Sequence, residues 1–305
     1  MTRYLPILFS CLALPLTLTP VSDLRAQEAE RWFQIEVSIF SNENLADRAS
    51  EQWAPSSTSL SYPGTIRRLQ SLLDLFMLEE LRPESSNAAT FVDAPATTIP
   101  AAPTLHAQIA ATGPFPAKPR GDFRFLDFAR DAFVQLPNSE SAFVQTNRAI
   151  ERSPEHRLLF HGLWRQPVFG AGRATPLYIQ GGLNYGDQNE LQGALTIRFN
   201  QNADRVVVDA DLWLSEFSIV GTTETDWQLP PVPTRLRRVY DATDSGSELN
   251  YQIQRIYRLQ QSRDMRSTEF HYIDHPALGL VILVNPYEVP PAPAPELNLS
   301  LEDAQ

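Results

Sequence analysis

The chain has 305 residues, 43% of them hydrophobic, and a formal net charge of −11. This length allows one large or two ordinary domains with a real hydrophobic core. The acidic balance makes nucleic acids and anionic lipid surfaces poor candidates for partners. The only cysteine, Cys11, lies in an apolar amino-terminal stretch. A mature chain without that stretch would therefore have no disulfide, cysteine-zinc site or cysteine nucleophile.

The first 26 residues have the pattern of a secretory signal peptide. Arg3 gives the short positive region, residues 5–18 form the apolar stretch, and Ala26 ends a tolerable cleavage site. An uncleaved anchor helix is the alternative, but the prolines in this segment fit poorly in a membrane-spanning helix. We therefore expect residues 1–26 to be removed, which leaves a secreted protein without stable membrane insertion.

The first half of the folded region combines one strand with several helical patterns. Residues 32–40 alternate between apolar and polar side chains, which predicts a strand. Apolar residues recur at three- and four-residue spacing over 66–81, which predicts an amphipathic helix. The proline-rich stretch 83–121 is typical of a flexible insertion, since it cannot bury enough apolar area to offset its ordering entropy. Further helices are predicted over 123–133 and 142–150.

Strands dominate the second half. They are predicted over 157–164, 177–180, 193–199, 205–214, 251–261, 267–273 and 280–284. Short connections predict three antiparallel hairpins, formed by 194–199 with 205–214, by 251–261 with 267–273, and by 267–273 with 280–284. The predicted fold class is therefore α+β, with a mainly antiparallel sheet, a few packed helices and long proline-rich loops. The folded domain is predicted to occupy residues 27–288, and a disordered proline-rich acidic tail is predicted over 289–305.

Three segments in fixed order carry a resemblance to a known family. Residues 31–40, 157–168 and 265–286 together resemble the CsiV family of peptidoglycan-binding envelope proteins of Gram-negative bacteria. Where family members have a doubled arginine before the Met-Arg-Ser motif, this chain has Arg263-Asp264. The resemblance implies a noncatalytic periplasmic protein that binds peptidoglycan and supports wall synthesis. It also implies periplasmic or lipoprotein regulators of the wall synthases as partners.

The segment 265–286 contains a concentrated group of candidate ligand-binding residues. Arg266, His271, Asp274 and His275 lie at the end of one predicted strand and in the turn that follows it, where Pro276 restricts the backbone. Two alternatives are open for the imidazoles. They could bind a metal, or they could form a corner network in which imidazoles bond backbone carbonyls and Asp274 caps the turn.

The middle segment supplies three more candidates, His161, Trp164 and Arg165. Strand alternation places His161 and Arg165 on one face and Trp164 on the other, unless Gly162 introduces a bulge. Aromatic faces bind sugar rings and arginine binds carboxylates, so the motif suits a wall fragment. A buried tryptophan whose indole donor is satisfied is the equally ordinary alternative.

Specific support for catalysis is absent from the sequence. A nucleophile elbow of the Gly-x-Ser-x-Gly type does not occur, nor does a phosphate-binding glycine loop. We expect no catalytic residue, metal or cofactor. Two alternative functions remain open. One is a metal-dependent wall amidase or peptidase that uses His161, His271 and His275. The other is an adaptor whose proline-rich insertion and tail recruit envelope proteins.

Overall fold

The computed structural model describes residues 30–50, 59–72, 126–219, 226–237 and 251–292. The predicted signal peptide, the insertion 83–121 and residues 293–305 of the tail lie outside these ranges. The elements in chain order are β1 (Trp32–Asn42), α1 (Leu45–Ala49), α2 (Val144–Arg152), β2 (His156–Pro167), β3 (Phe169–Gly170), β4 (Leu177–Tyr185), β5 (Gln188–Phe199), β6 (Val206–Ile219), β7 (Tyr251–Met265), β8 (Phe270–Asp274) and β9 (Leu278–Tyr287). Short 3₁₀ turns cover Asn138–Glu140 and Thr234–Leu236.

The strands form two sheets. Sheet A has the order β2-β1-β9-β8, and all its pairs are antiparallel. Sheet B has the order β3-β5-β6-β7, with β4 also paired to β5, and only the short β3 runs parallel to its neighbour.

A single core joins the inner faces of both sheets. Ile35, Val37 and Ile39 alternate along β1 and belong to the same buried cluster as Leu212 and Leu259 of sheet B. This period-two burial is the pattern of a strand with one face in a core. The described chain is therefore β-rich and mostly antiparallel with two short helices, and the predicted α+β class is not confirmed.

Two helix predictions in the first half are wrong within the described residues. Over 66–71 the backbone is extended: the Arg67 amide donates to the Pro176 carbonyl at 3.0 Å and the Gln70 amide to the Phe133 carbonyl at 2.9 Å. Helical backbone begins only at Leu72, and residues 73–81 lie outside the described ranges. Residues 126–133 form turns instead of a helix. The helix predicted over 142–150 is confirmed as α2.

The predicted strands are present, but one predicted hairpin is wrong. The hairpins β5–β6 and β8–β9 form as expected. By contrast, β7 pairs with β6 in sheet B, whereas β8 pairs with β9 in sheet A. Residues 266–269 therefore carry the chain from one sheet to the other. Both strands direct apolar residues into the shared core from opposite sides, and alternation alone cannot distinguish this arrangement from a hairpin.

Candidate functional site

Glu36 and His161 lie on the outer face of sheet A, on the adjacent strands β1 and β2. His161 Nε2 is 2.9 Å from Glu36 Oε1. Glu36 is only 3% exposed. This face carries the polar residues of the strands because Ile35 and Val37, on either side of Glu36, point into the core. The outer face therefore buries a carboxylate beside an imidazole.

Glu36 also binds the residues that lead into α2. Its oxygens accept hydrogen bonds from the Ser141 hydroxyl at 2.5 Å and from the amides of Ala142 and Phe143 at 2.8 and 3.1 Å. Burial raises the pKa of Glu36, but the bonds from His161, Ser141 and these two amides outweigh it and hold that pKa below its usual value. The ionised carboxylate thus holds the first turn of α2 against the sheet.

Arg165 follows on the same face, as the alternation predicts, and its guanidinium is fully engaged. It donates to Gln34 Oε1 at 2.8 and 3.0 Å and to the Phe128 carbonyl at 2.9 Å. It also pairs with Glu140 at 2.5 Å and lies 4.2 Å from the centre of the Tyr287 ring. These contacts give Arg165 a structural role in fixing the segment above sheet A.

Trp164 lies on the opposite face and is fully buried, at 0% exposure. Its Nε1 donates to Gln166 Oε1 at 2.8 Å. There is no bulge at Gly162. The register shift of β1 against β2 falls between Ile39 and Phe40. Because its ring is sealed in the core and its indole donor is satisfied, Trp164 offers no aromatic face to a wall fragment, and the core-packing alternative describes it.

The candidate histidines and aspartate within residues 266–275 form hydrogen bonds with residues nearby in the sequence. His271 Nε2 is 3.2 Å from the Arg266 carbonyl oxygen, as a corner network requires. The buried His275 instead accepts the Ala277 amide at its Nδ1, at 3.1 Å. Asp274 accepts the Tyr272 hydroxyl at 2.7 Å rather than capping the turn. The Arg266 side chain is 69% exposed.

The three histidines of the hydrolase alternative are not brought together. His161 is on β2 and His271 on β8, the two edge strands of sheet A, with β1 and β9 between them. Three strand spacings are on the order of 14 Å, too far for one metal ion. His271 also shares the face of its partner Ile282, which points into the core. Within the described ranges, no group of three or more histidine, cysteine, aspartate or glutamate residues could hold a metal.

A cleft of about 440 Å³ opens where the edge of β2 meets the edge of β4. Its described lining consists of Arg68, Leu69, Ser71, Gln135, Leu159, Phe160, His161, Tyr178 and Gln180. Of these, only His161 was among the residues predicted from the sequence. The others come from separate segments, and Arg68 belongs to a stretch whose periodicity predicted a helix, so no local signal could have grouped them.

Two structural features shape this cleft. Leu159 is an extra residue in β2, because Ile39 pairs with Phe160 and Phe40 with Leu158. Gly181 of β4 lies against the bulge so closely that a Cβ atom there would be 2.1 Å from the Leu159 carbonyl oxygen. The bulge and the glycine therefore bring the two sheets into contact at one end of the cleft.

Two exposed aromatic rings mark the other edge of sheet A. Phe270 is 60% and Tyr272 46% exposed on the same face of β8. Phe270 stacks on Phe143 at 5.5 Å, and Tyr272 stacks on Phe40 at 6.2 Å. Large aromatic side chains on an edge strand are an exposed apolar patch that invites association.

Comparisons with known proteins include a family match. No helix among the described residues is long and apolar enough to cross a membrane. No curated protein and no solved structure matches the chain significantly. A family model described as peptidoglycan-binding protein, CsiV, matches residues 11–287 and so spans every strand of both sheets. The chain therefore belongs to the CsiV family of peptidoglycan-binding proteins.

Proposed function

We propose that this protein binds peptidoglycan noncatalytically in the periplasm and supports wall synthesis, acting through regulators of the wall synthases. The observation that carries the proposal is the family match over residues 11–287, which includes the three segments at 31–40, 157–168 and 265–286. The signal-peptide pattern of residues 1–26 supports export.

Binding is favoured over hydrolysis by the dispersal of the three histidines. A zinc hydrolase that uses His161, His271 and His275 would need their imidazoles within about 4 Å of one another around the ion. Their places on two edge strands and a turn do not provide this. By contrast, the cleft between β2 and β4 combines a cation, amides and aromatic rings, which are the groups that bind polar ligands.

The test is sedimentation of the mature, metal-stripped protein with purified sacculi, followed by chromatography of the supernatant for soluble muropeptides, with and without added zinc. We expect the protein to pellet with the sacculi and to release nothing. A periplasmic protein of similar size and negative charge, incubated in parallel, reports nonspecific trapping.

The other outcomes each select a rival. Muropeptide release that depends on zinc would replace the proposal with a hydrolase. Absence of both pelleting and release would favour the protein-binding adaptor. In that case, pull-down of wall-synthase regulators should succeed without any sacculus present.

A further inference from the structure

The edge strand β8 presents the rings of Phe270 and Tyr272, which we call the aromatic platform, on the outer face of sheet A. Ile273 of the same strand points into the core, so its neighbour Tyr272 and the alternate residue Phe270 point outward. Among the described residues, these two are the only aromatic side chains in the set of exposed large hydrophobic residues. Alternate residues of a strand lie about 6.5 Å apart, so the two rings stand side by side.

Each ring of the aromatic platform rests on a second ring that belongs to the folded framework. Phe270 stacks on the fully buried Phe143, and Tyr272 stacks on Phe40, which is 7% exposed. Phe40 reaches Tyr272 across β9 because its partner there is Gly279, where a Cβ atom would be 2.2 Å from the Phe40 ring. Rings that are already held in place lose little conformational entropy when a ligand binds to them.

A carboxylate lies beside the aromatic platform. The Tyr272 hydroxyl donates to Asp274 Oδ1 at 2.7 Å. Burial and this carboxylate raise the pKa of Tyr272, so its hydroxyl stays protonated and keeps donating near neutral pH. An ionised carboxylate accepts about four hydrogen bonds, so Asp274 has further positions for the hydroxyl or amide donors of a ligand.

The backbone of β8 does not offer the platform to an added peptide strand. The Tyr272 carbonyl accepts a hydrogen bond from Arg263, and the Asp274 carbonyl accepts one from Gln261. A ligand must therefore bind through the ring faces and side chains. The Asp274 carboxylate repels the carboxylates of a stem peptide. A neutral sugar ring fits better, because its C–H groups stack on an aromatic face while its hydroxyls donate at the rim.

We propose that the aromatic platform binds the glycan strand of peptidoglycan, with Phe270 and Tyr272 stacked on sugar rings and Asp274 accepting hydrogen bonds from sugar hydroxyl or acetamido groups. This rests on the proposed function and deepens it, because it assigns recognition to the glycan rather than to the peptide. Glycan strands are neutral where their lactyl groups are joined to peptides as amides, which suits a platform that carries a carboxylate.

Competition separates the two parts of the wall. The mature protein is bound to sacculi and challenged with the products of complete amidase digestion of the same sacculi. These products, separated by size, are glycan strands without peptides and free stem peptides. We expect the glycan strands to displace the protein and the free peptides, at the same concentration of repeating units, to leave it bound. Displacement by the peptides alone would overturn the proposal.

Variants at the two rings distinguish stacking from general apolar contact. Phe270→Leu and Tyr272→Leu keep an apolar side chain but remove the flat ring. Each should weaken sacculus binding about two- to tenfold, the range of one aromatic stacking contact. Tyr272→Phe keeps the ring and loses only the hydroxyl bonded to Asp274, so its effect should be smaller. Leu183→Ala, at a side chain of β4 that is 57% exposed, is the control and should bind as the wild type does.

Failure of the proposed function and failure of the platform assignment give different results. If the wild-type protein does not pellet with sacculi, both fall. If it pellets but the Phe270→Leu and Tyr272→Leu variants, shown to be folded by thermal melts, bind equally well, the platform assignment is wrong and the proposed function stands. A wild-type dimer in light scattering that Phe270→Ser converts to monomers would overturn the proposal and assign the rings to a second copy of the chain.

Discussion

Glu36 is the residue on which the packing of α2 against sheet A depends. Its carboxylate receives hydrogen bonds from His161, Ser141, Ala142 and Phe143 while almost completely buried. Glu36→Gln replaces one acceptor oxygen with a donor that faces other donors. We expect the variant to lose about 2–3 kcal/mol of unfolding free energy in urea denaturation, since buried donors would be left without an acceptor.

The matched control for this variant is Glu151→Gln, at an exposed position of α2 itself. It should leave the unfolding free energy within about 0.5 kcal/mol of the wild type. Equal stability of Glu36→Gln and wild type would contradict the role assigned to the carboxylate.

The lowered pKa of Glu36 predicts a pH dependence of stability. A carboxylate whose pKa is lower in the folded than in the unfolded chain contributes its full stabilisation above the unfolded value, here 4.5. That stabilisation is lost as the pH falls from 4.5 through the folded pKa. The free-energy difference between wild type and Glu36→Gln should therefore be constant near neutral pH and shrink below pH 4.5.

Measuring the difference between the two proteins is necessary because Glu43 titrates in the same direction. Burial raises the pKa of Glu43, but the Ser41 hydroxyl and the charges of Arg48 and Arg157 lower that pKa by more. The pKa of Glu43 is therefore below its usual value. Urea denaturation of both proteins at several pH values cancels the shared contribution of Glu43. If the free-energy difference between wild type and Glu36→Gln grew on acidification, it would contradict the prediction.

For single residues, the sequence predicts on which face of a strand a side chain lies but not which residues it contacts. Alternation correctly places His161 and Arg165 on one face and Trp164 on the other. Nothing local distinguishes Glu36 as the centre of a network, because Ser141 and Phe143 lie about a hundred residues along the chain. Burial of Trp164 in the core depends on sheet B, which the motif itself does not reveal.

Among the elements, the contact between β2 and β4 depends on a glycine. Gly181→Ala would place a methyl group against the Leu159 carbonyl, so one of the two strands must move. We expect a loss of about 1–3 kcal/mol in unfolding free energy, the range for overpacking. Gly172→Ala is the control, since a Cβ there would meet nothing within 4 Å. An unchanged melting temperature for Gly181→Ala would show that β2 and β4 separate easily.

The edge of β8 is protected by side chains from the other sheet. Arg263 Nη1 donates to the Tyr272 carbonyl at 3.1 Å, and Gln261 Nε2 donates to the Asp274 carbonyl at 3.2 Å. Both carbonyls belong to the strand that also carries the exposed rings Phe270 and Tyr272. Occupied backbone acceptors keep such a strand from pairing with a second molecule.

Removing this protection should therefore promote self-association. In light scattering coupled to size-exclusion chromatography, we expect the double variant Gln261→Ala with Arg263→Ala to shift toward dimers or larger species with rising concentration. Gln260→Ala, on the same strand but facing the other way, should remain like the wild type. A double variant with an unchanged mass at every concentration would mean that the edge is closed by some other means.

Elements were predictable where the signal is local and were missed where the pairing is distant. The alternation of β1 and the hairpins β5–β6 and β8–β9 follow from short-range pattern and turn chemistry. Residues 66–71 have helical spacing, yet their backbone bonds β4 and residues 133–135 instead, because tertiary pairing overrides propensity. The division of β7 and β8 between two sheets depends on a core that neither strand encodes alone.

For the whole molecule, one ionic network ties sheet A to sheet B. Arg48 of α1 lies 2.9 Å from both Glu43, which follows β1, and Glu216 of β6. Arg157 of β2 makes a bidentate pair with Glu190 of β5 at 2.7 and 2.9 Å. Arg48 is buried, and its removal takes this cation away from Glu216, whereas Glu43 keeps Arg157 at 3.3 Å.

Arg48→Ala should cost about 1–2 kcal/mol of unfolding free energy, because Glu43 and Glu216 are 33% and 35% exposed and water screens the charges left behind. A double-mutant cycle with Glu216→Ala should give a coupling energy of about 1 kcal/mol or more, which distinguishes the ion pair from general packing. Arg205→Ala, an exposed arginine, is the control. A coupling energy near zero would mean that the Arg48–Glu216 pair does not help to hold the two sheets together.

The position of β1 also determines when the molecule can fold. Among the described strands, β1 is the first along the sequence and is central in sheet A, and its partner β9 is the last of them. Sheet A therefore cannot close until β9 is available, and pairing across so long a sequence separation is slow. During the export that we propose, a chain whose β9 had not yet emerged from a translocation channel could not complete sheet A. The order of strands would thus delay folding until after export.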